Sequence, residues 1–180
     1  MGDLLPRFKA NHRPLTPVDF LDRAVEAFPN RTAVIWQGRS WSYAELGGIV
    51  AAMIDTLRAH GVGQGDVVAI MSSNRPEMLA AHYAIPALGA AVNALNTRLD
   101  PSVVEYILNH SEAKVVLTDP AGAEVAGPAA QQAGLACLVF APDHGTADGL
   151  SLLDAPPVTQ ANFAEEVRDE FMPIAINYTS

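Results

Sequence analysis

Residues 65–96, with the sequence GDVVAIMSSNRPEMLAAHYAIPALGAAVNALN, contain two short apolar runs on either side of a longer helical segment. The runs at 67–71 and 91–95 are apolar at nearly every position, whereas a half-exposed strand would alternate apolar and polar residues. Residues 76–88 between them predict a helix that opens with proline. Two strands that are buried on both faces and joined by a helix predict a parallel sheet with helices on both sides.

The segment before this unit predicts two helices and a hairpin. Thr16 is a suitable N-cap for a helix whose first residue is Pro17. Two short extended runs follow within residues 32–42, separated by a hairpin turn at residues 37–39. A second helix with one apolar stripe is expected to end at Gly61.

Strands and helices continue to alternate after residue 96. Helices are expected at residues 101–109 and 124–133, and strands at 115–118 and 135–140. Right-handed crossovers between such units give a doubly wound arrangement. The expected fold class is therefore α/β, with a mostly parallel, doubly wound sheet flanked by helices.

Three remaining segments complete the expected organisation. Residues 1–16 form an N-terminal arm, and residues 17–180 form one domain. Residues 141–171 are rich in proline and glycine and show little periodicity, which predicts a surface connection. Residues 173–180 alternate apolar and polar side chains and predict a final strand.

Composition argues against several classes of partner. The net charge is −9, with 11 Lys and Arg against 20 Asp and Glu, and no basic run stands out, so no nucleic-acid partner is expected. The most apolar stretch, residues 78–95, is interrupted by His82, Pro86 and Asn93, so no membrane span is expected. Cys137 is the single cysteine and lies in an apolar run, which favours a buried structural thiol and the reducing cytoplasm.

Other motifs do not indicate a catalytic centre. The five histidines lack metal-ligand spacing, so no protein-held metal is expected, and no G-x-S-x-G elbow is present. Glu105, Glu112 and the pair at 165–166 are most simply solvated helix faces. The glycines of GVGQGD at 61–66 leave a helix and enter a strand. A dinucleotide loop has the opposite order, so a helix cap and turn are predicted here.

Four stretches occur in a particular order along the chain: WSYAEL at 41–46, GDVVAI at 65–70 followed by Asn74, ALGAAVNALN at 87–96, and INYTS at 176–180. In the first, Ser42 and Glu45 form a capping box at a strand-to-helix junction. In this order, the four stretches resemble the adenylate-forming, or AMP-binding, ligases, and specifically the N-terminal portion of an acyl-CoA synthetase.

The resemblance implies an activity for the full-length enzyme. A carboxylic or fatty acid, ATP and CoA would give acyl-CoA, AMP and pyrophosphate through an acyl-adenylate, with Mg²⁺ as the metal of ATP. Residues 17–180 would be an incomplete AMP-binding domain, truncated at the start of the phosphate loop. We therefore expect no catalytic residue and no bound cofactor in this piece, and no activity from it alone.

The resemblance also suggests three binding residues. Thr179 and Ser180 match the first hydroxyl positions of the loop that holds the ATP phosphates, although they could equally be a chain end without a role. Arg98 matches a position at which some CoA ligases contact the nucleotide phosphate of CoA. The alternative is that Arg98 pairs with Asp100 or Glu105 at the start of the next helix.

Two other functions remain open at this point. The chain could be a stand-alone flavodoxin-like module that binds a nucleotide at the carboxyl ends of its strands. It could also belong to an adenylation domain that loads a carrier protein. Within the acyl-CoA synthetases, the pattern around residues 14–23 and 82–86 is similar to enzymes for short to medium acids. An exposed sheet edge at residues 174–178 would favour self-association or a homodimer.

Overall fold

The computed structural model describes residues 15–141, 149–167 and 169–178. Within these ranges the helices are α1 (Pro17–Ala27), α2 (Tyr43–Ala59), α3 (Pro76–Ala87), α4 (Pro101–His110) and α5 (Pro120–Gln132), with a short 3₁₀ helix at Phe163–Glu166. The strands are β1 (Thr32–Trp36), β2 (Arg39–Ser42), β3 (Val67–Met71), β4 (Ala91–Ala94), β5 (Ala113–Thr118), β6 (Ala136–Val139) and β7 (Ala175–Ile176). Nearly all of the predicted N-terminal arm lies outside the described residues.

The first two helices begin at the predicted caps. The backbone amide of Thr16 donates to a carboxylate oxygen of Asp19 at 2.8 Å. At the start of α2, the amide of Glu45 donates to the Ser42 hydroxyl, and the amide of Ser42 donates back to the Glu45 carboxylate at 2.7 Å. Hydrogen bonds from the amide and hydroxyl of Ser42 lower the pKa of Glu45. The predicted capping box is confirmed.

The hairpin and the glycine-rich turn also match their predictions. Strands β1 and β2 pair antiparallel. Gln37 and Gly38 between them have φ angles of 48° and 79°, as a tight hairpin turn with two left-handed residues requires. Gly61 and Gly65, between α2 and β3, have φ angles of 75° and 83°, so these glycines form a helix end and a turn.

The main sheet has five strands in the order β6-β5-β3-β4-β7. Every neighbouring pair is parallel, and Val68 of β3 lies opposite Val92 on one side and Val115 on the other. The expected α/β class with a parallel sheet is confirmed.

Helices cover both faces of the sheet, and alternate residues of β3 show this directly. Val68 and Ile70 belong to the core cluster formed with α1, α2, α3 and the hairpin. Ala69 and Met71 point to the opposite face and belong to the cluster formed with α4 and α5. Because both faces are buried, the strand contains no polar residue, which is the pattern that made it recognisable.

Residues 149–167 connect β6 to β7 with mostly exposed or half-buried side chains and one short 3₁₀ helix, in line with the predicted surface connection, but they also make specific contacts with the core. Leu152 is buried, and the indole N–H of Trp41 donates to the carbonyl oxygen of Leu153 at 3.0 Å. The amides of Phe163 and Ala164 donate to the two carboxylate oxygens of Asp22, each at 3.0 Å. This segment packs across α1 and the hairpin. These contacts were not predicted, because irregular backbone buries apolar side chains without a repeating period.

The bounds of α5 and β7 differ most from the predictions. Helix α5 begins at Pro120 and not at residue 124, because Asp119 caps it by accepting a hydrogen bond from the Gly122 amide at 2.7 Å. The final strand contains only Ala175 and Ile176 among the described residues, although an alternating pattern extends to residue 180.

Candidate functional site

The carboxyl ends of the parallel strands lie along one edge of the sheet. Polar residues follow several of these strands: Ser73 and Asn74 after β3, residues 96–98 after β4, Asp119 after β5, and Asn177 with Tyr178 after β7. In open α/β sheets, ligands bind in the crevice outside this edge. The edge is therefore the candidate functional site.

Asp119 connects the ends of β3 and β5. One carboxylate oxygen accepts hydrogen bonds from the amide and the hydroxyl of Ser73, at 2.9 and 2.7 Å. The other accepts from the Gly122 amide. Burial by itself would raise the pKa of Asp119, but these hydrogen bonds and the charge of Arg75 outweigh it and lower the pKa. Asp119 is therefore ionised at neutral pH.

This carboxylate lies at the topological switch point of the sheet. The chain leaves β3 through α3 on one face, and it leaves β5 through α5 on the other. A nucleotide-binding module would present the free N-terminal amides of α5 to a phosphate at this crevice. Here Asp119 brings a negative charge and occupies the Gly122 amide. The geometry therefore disfavours a flavodoxin-like phosphate site between β3 and β5.

Asp119 is a residue of this edge that the sequence pattern did not predict. An acidic residue immediately before Pro120 is a recognisable N-cap signal, and it would have placed the start of α5 correctly. Its contact with Ser73 could not be predicted, because the two residues are 46 positions apart.

Arg98 lies beyond the carboxyl end of β4, and its side chain is exposed. Its backbone amide donates to the side-chain oxygen of Asn96 at 3.0 Å, which fixes the turn. Within the described parts of the chain, no ion pair joins Arg98 to Asp100 or Glu105. The proposed structural pairing is therefore not observed, and the contact with CoA stays a prediction.

Strand β7 lies beside β4, so its carboxyl end is at the same edge as the Arg98 turn. Val92 of β4 donates its amide to the carbonyl oxygen of Ile174 at 2.9 Å. Tyr178 follows β7, and its hydroxyl lies 2.7 Å from the imidazole Nδ1 of His110, on α4. Thr179 and Ser180 come next in the chain and lie outside the described residues.

A buried ion pair lies at the carboxyl end of β3. The guanidinium of Arg75 makes two hydrogen bonds to the Glu77 carboxylate, at 2.9 and 2.6 Å, and one to the carbonyl oxygen of Ala141. The side chains of Arg75 and Glu77 are 4% and 1% exposed. The same guanidinium lies over the rings of Trp36 and Phe140. It therefore ties the start of α3 to the hairpin and to the end of β6.

An open groove of about 780 Å³ runs beside this ion pair, between the hairpin and α3. Its lining is mostly apolar and includes Ile35, Trp36, Met78, Leu79 and Tyr83. The groove is on the face opposite to α4 and α5. His82 also lines it, with Nδ1 of its imidazole 2.8 Å from the carbonyl oxygen of Met78.

No metal centre is evident in the described ranges, where no three His, Cys, Asp or Glu side chains come together. Cys137 is half-buried in β6, and burial raises the pKa of its thiol, which favours the unreactive protonated form. Glu112 and Glu165 are exposed, and Glu105 is half-buried.

Comparison with known proteins identifies the family. The family model described as AMP-binding enzyme matches residues 21–180, and the chain belongs to this family. A peroxisomal trans-cinnamate:CoA ligase of Petunia hybrida is 32% identical over 99% of this chain and 35% of its own length. An acetate–CoA ligase of Humulus lupulus is 38% identical over 65% of this chain and 21% of its own length.

The fold of this chain is also similar to that of a solved structure. The fatty acyl CoA synthetase of Mycobacterium tuberculosis has a TM-score of 0.71 and is 26% identical, over 91% of this chain and 32% of its own. The chain thus spans about a third or less of the length of these relatives. No helix among the described residues is long and apolar enough to cross a membrane.

Proposed function

We propose that the protein containing this chain is an ATP-dependent acyl-CoA synthetase. A carboxylate attacks the α-phosphate of ATP and expels pyrophosphate, and the thiol of CoA then attacks the acyl carbonyl and expels AMP. The observation that supports this most is the carboxyl edge at β4 and β7. There, in a chain of the AMP-binding family, the Arg98 turn and Tyr178 follow adjacent strands.

In this proposal, Thr179 and Ser180 contribute the first hydroxyl donors to the ATP phosphates. Hydroxyls that follow a strand at the carboxyl edge are well placed for this, because ligands of parallel sheets bind outside that edge. Hydrogen bonds to an anionic oxygen are among the stronger ones in proteins. Thr179 and Ser180 would therefore act mainly on ATP affinity.

Mg²⁺ is proposed as the ion that accompanies ATP and neutralises phosphate charge during the first step. The described residues bring together no set of acidic ligands for it. Its protein ligands would have to come from outside the described residues.

Arg98 is proposed to bind the nucleotide phosphate of CoA. Its guanidinium is exposed at the carboxyl edge, and no ion pair to Asp100 or Glu105 competes for it within the described residues. A guanidinium matches a phosphate with two parallel hydrogen bonds, and losing such a charge-assisted contact costs about 1.5–3 kcal/mol. This corresponds to a roughly tenfold to hundredfold rise in the KM for CoA.

Arg98→Ala tests this role in the protein made from its whole reading frame. Adenylate formation and thioester formation are assayed separately, with Lys114→Ala as the control because Lys114 pairs with Asp66 away from this edge. We expect a higher KM for CoA and unchanged adenylate formation. An unchanged KM for CoA, or equal loss in both half-reactions, would refute it.

The proposed substrates are short to medium carboxylic acids, in line with relatives that are named for cinnamate and acetate. The proposed compartment is the cytoplasm, although the petunia relative is named as peroxisomal. We also propose that the short edge strand β7 favours self-association, since its outer side has no partner among the described residues. Light scattering of the 180-residue chain tests this, and a monomer at high concentration would contradict it.

The proposed function is tested by incubating the whole-reading-frame protein with ATP, CoA and a panel of acetate, butyrate, octanoate and cinnamate. Formation of acyl-CoA is followed by mass spectrometry, with a phosphopantetheinylated carrier protein as the competing acceptor. We expect acyl-CoA from at least one acid. Acylation of the carrier protein without any acyl-CoA would instead indicate a carrier-loading adenylation domain.

A further inference from the structure

We propose that His110 is a positioning residue for ATP binding, because it holds Tyr178, the residue directly before Thr179 and Ser180. The inference rests on the proposed function, in which those two hydroxyls meet the ATP phosphates. His110 itself would touch no substrate. It would act by fixing the direction in which the chain leaves the sheet.

The backbone of β7 is too short to fix this direction alone. Only Ala175 and Ile176 pair with β4, and β7 is at the edge of the sheet. Tyr178 lies two residues beyond the last pair, and its side chain contacts α4. The hydrogen bond between its hydroxyl and His110 Nδ1, at 2.7 Å, provides that contact. Whichever ring tautomer is present, one of the two groups can donate to the other.

The imidazole contacts two aromatic rings. It stacks on Tyr106 with 5.5 Å between ring centroids and an interplanar angle of 22°. The ring of Tyr178 meets it edge-on at 5.7 Å. Because Tyr106 lies one helical turn before His110 on α4, the helix sets the orientation of the imidazole. Tyr178 is thus fixed relative to α4 as well as to the sheet.

The end of α4 is in turn fixed to the strand beside β7. The side-chain amide of Asn93, fully buried in β4, donates to the hydroxyl of Ser111 at 3.2 Å. Ile107 and Leu108 of the same helical turn are buried in the core. Asn93 lies opposite Ile176 in the parallel pairing of β4 with β7. The C-terminal turn of α4 therefore contacts both Asn93 of β4 and Tyr178, which follows β7.

The test compares two amide substitutions at position 110 in the protein made from its whole reading frame. Asn places an amide atom near the position of imidazole Nδ1, whereas Gln reaches the position of Nε2 and misses the Tyr178 hydroxyl. His110→Asn should therefore rescue what His110→Gln loses. Tyr178→Phe removes only the hydroxyl, and the double variant His110→Gln/Tyr178→Phe completes a cycle.

ATP affinity is the readout, measured as the dissociation constant by calorimetry and as the KM in pyrophosphate exchange. We expect His110→Gln and Tyr178→Phe each to raise both constants about two- to tenfold, the range for one net hydrogen bond. The double variant should be no worse than either single variant, with kcat, the KM for the acid and the melting temperature nearly unchanged. His110→Asn should stay within about twofold of wild type.

An ATP affinity that is the same in wild type, His110→Gln and Tyr178→Phe would overturn the proposal. The proposal would also be overturned if His110→Gln and His110→Asn lost the same ATP affinity and both had a lower melting temperature, since this pattern indicates a role in stability alone. If the wild-type protein binds ATP and catalyses exchange, and the variants do so equally well, only this inference is refuted. A wild-type protein with neither property refutes the proposed function and this inference together.

Discussion

Replacing Glu77 by Gln should destabilise the chain strongly, because the partner of Glu77 is a nearly inaccessible guanidinium. Gln keeps the volume and removes the charge, so that Arg75, 4% exposed, remains as a buried cation with weaker acceptors. Breaking a buried pair by removing one partner costs about 3–5 kcal/mol. We expect the lower end, about 3 kcal/mol, because the Ala141 carbonyl and two aromatic rings still contact the guanidinium.

The assay is urea and thermal unfolding of the 180-residue chain. A loss of about 3 kcal/mol corresponds to a fall of roughly 6–12 °C in melting temperature for a domain of this size. Asp154→Asn is the matched control, because its pair with Arg39 is largely exposed and should contribute at most about 1 kcal/mol. Equal effects of the two substitutions, or a loss below about 1 kcal/mol at Glu77, would refute the reasoning.

Three other predictions concern Asp119, Gly122 and the activity of the 180-residue chain. Asp119→Asn should lower the free energy of unfolding at neutral pH, because the ionised carboxylate stabilises the folded chain. This difference from wild type should shrink as the pH falls below 3.8 and through the lowered folded-state pKa of Asp119. A difference in the free energy of unfolding that does not change with pH would contradict this. Gly122→Ala should cost about 1–3 kcal/mol or more, since its Cβ would meet the Met71 carbonyl and the Thr118 hydroxyl at 2.5 Å; unchanged urea unfolding would refute that. The 180-residue chain alone should show no carboxylate-dependent pyrophosphate exchange, because it spans about a third or less of the length of the relatives named as CoA ligases, and measurable exchange would contradict this.

Most of the sheet could be predicted because its strands are buried on both faces. In β3, all five residues are buried, so the sequence is uniformly apolar and the boundaries are clear. The caps at Thr16 and Ser42 were equally evident, since N-cap chemistry is local and involves residues three positions apart.

The candidate site was less predictable, because its contacts join distant parts of the chain. His110 and Tyr178 are 68 positions apart, and Ser73 and Asp119 are 46 apart. Nothing in the local pattern around these residues indicates their partners. Arg98 could be selected only through the family resemblance, since an exposed arginine in a polar turn has no distinguishing local signal.

The central claim is that the protein makes an acyl-adenylate from ATP and a carboxylic acid before CoA is involved. Carboxylate-dependent exchange of labelled pyrophosphate into ATP, measured without CoA in the protein made from its whole reading frame, tests this most directly. We predict exchange that requires the acid, proceeds without CoA, and has a higher KM for ATP in the double variant Thr179→Ala/Ser180→Ala. No exchange with any acid, or exchange only when CoA is present, would contradict the account.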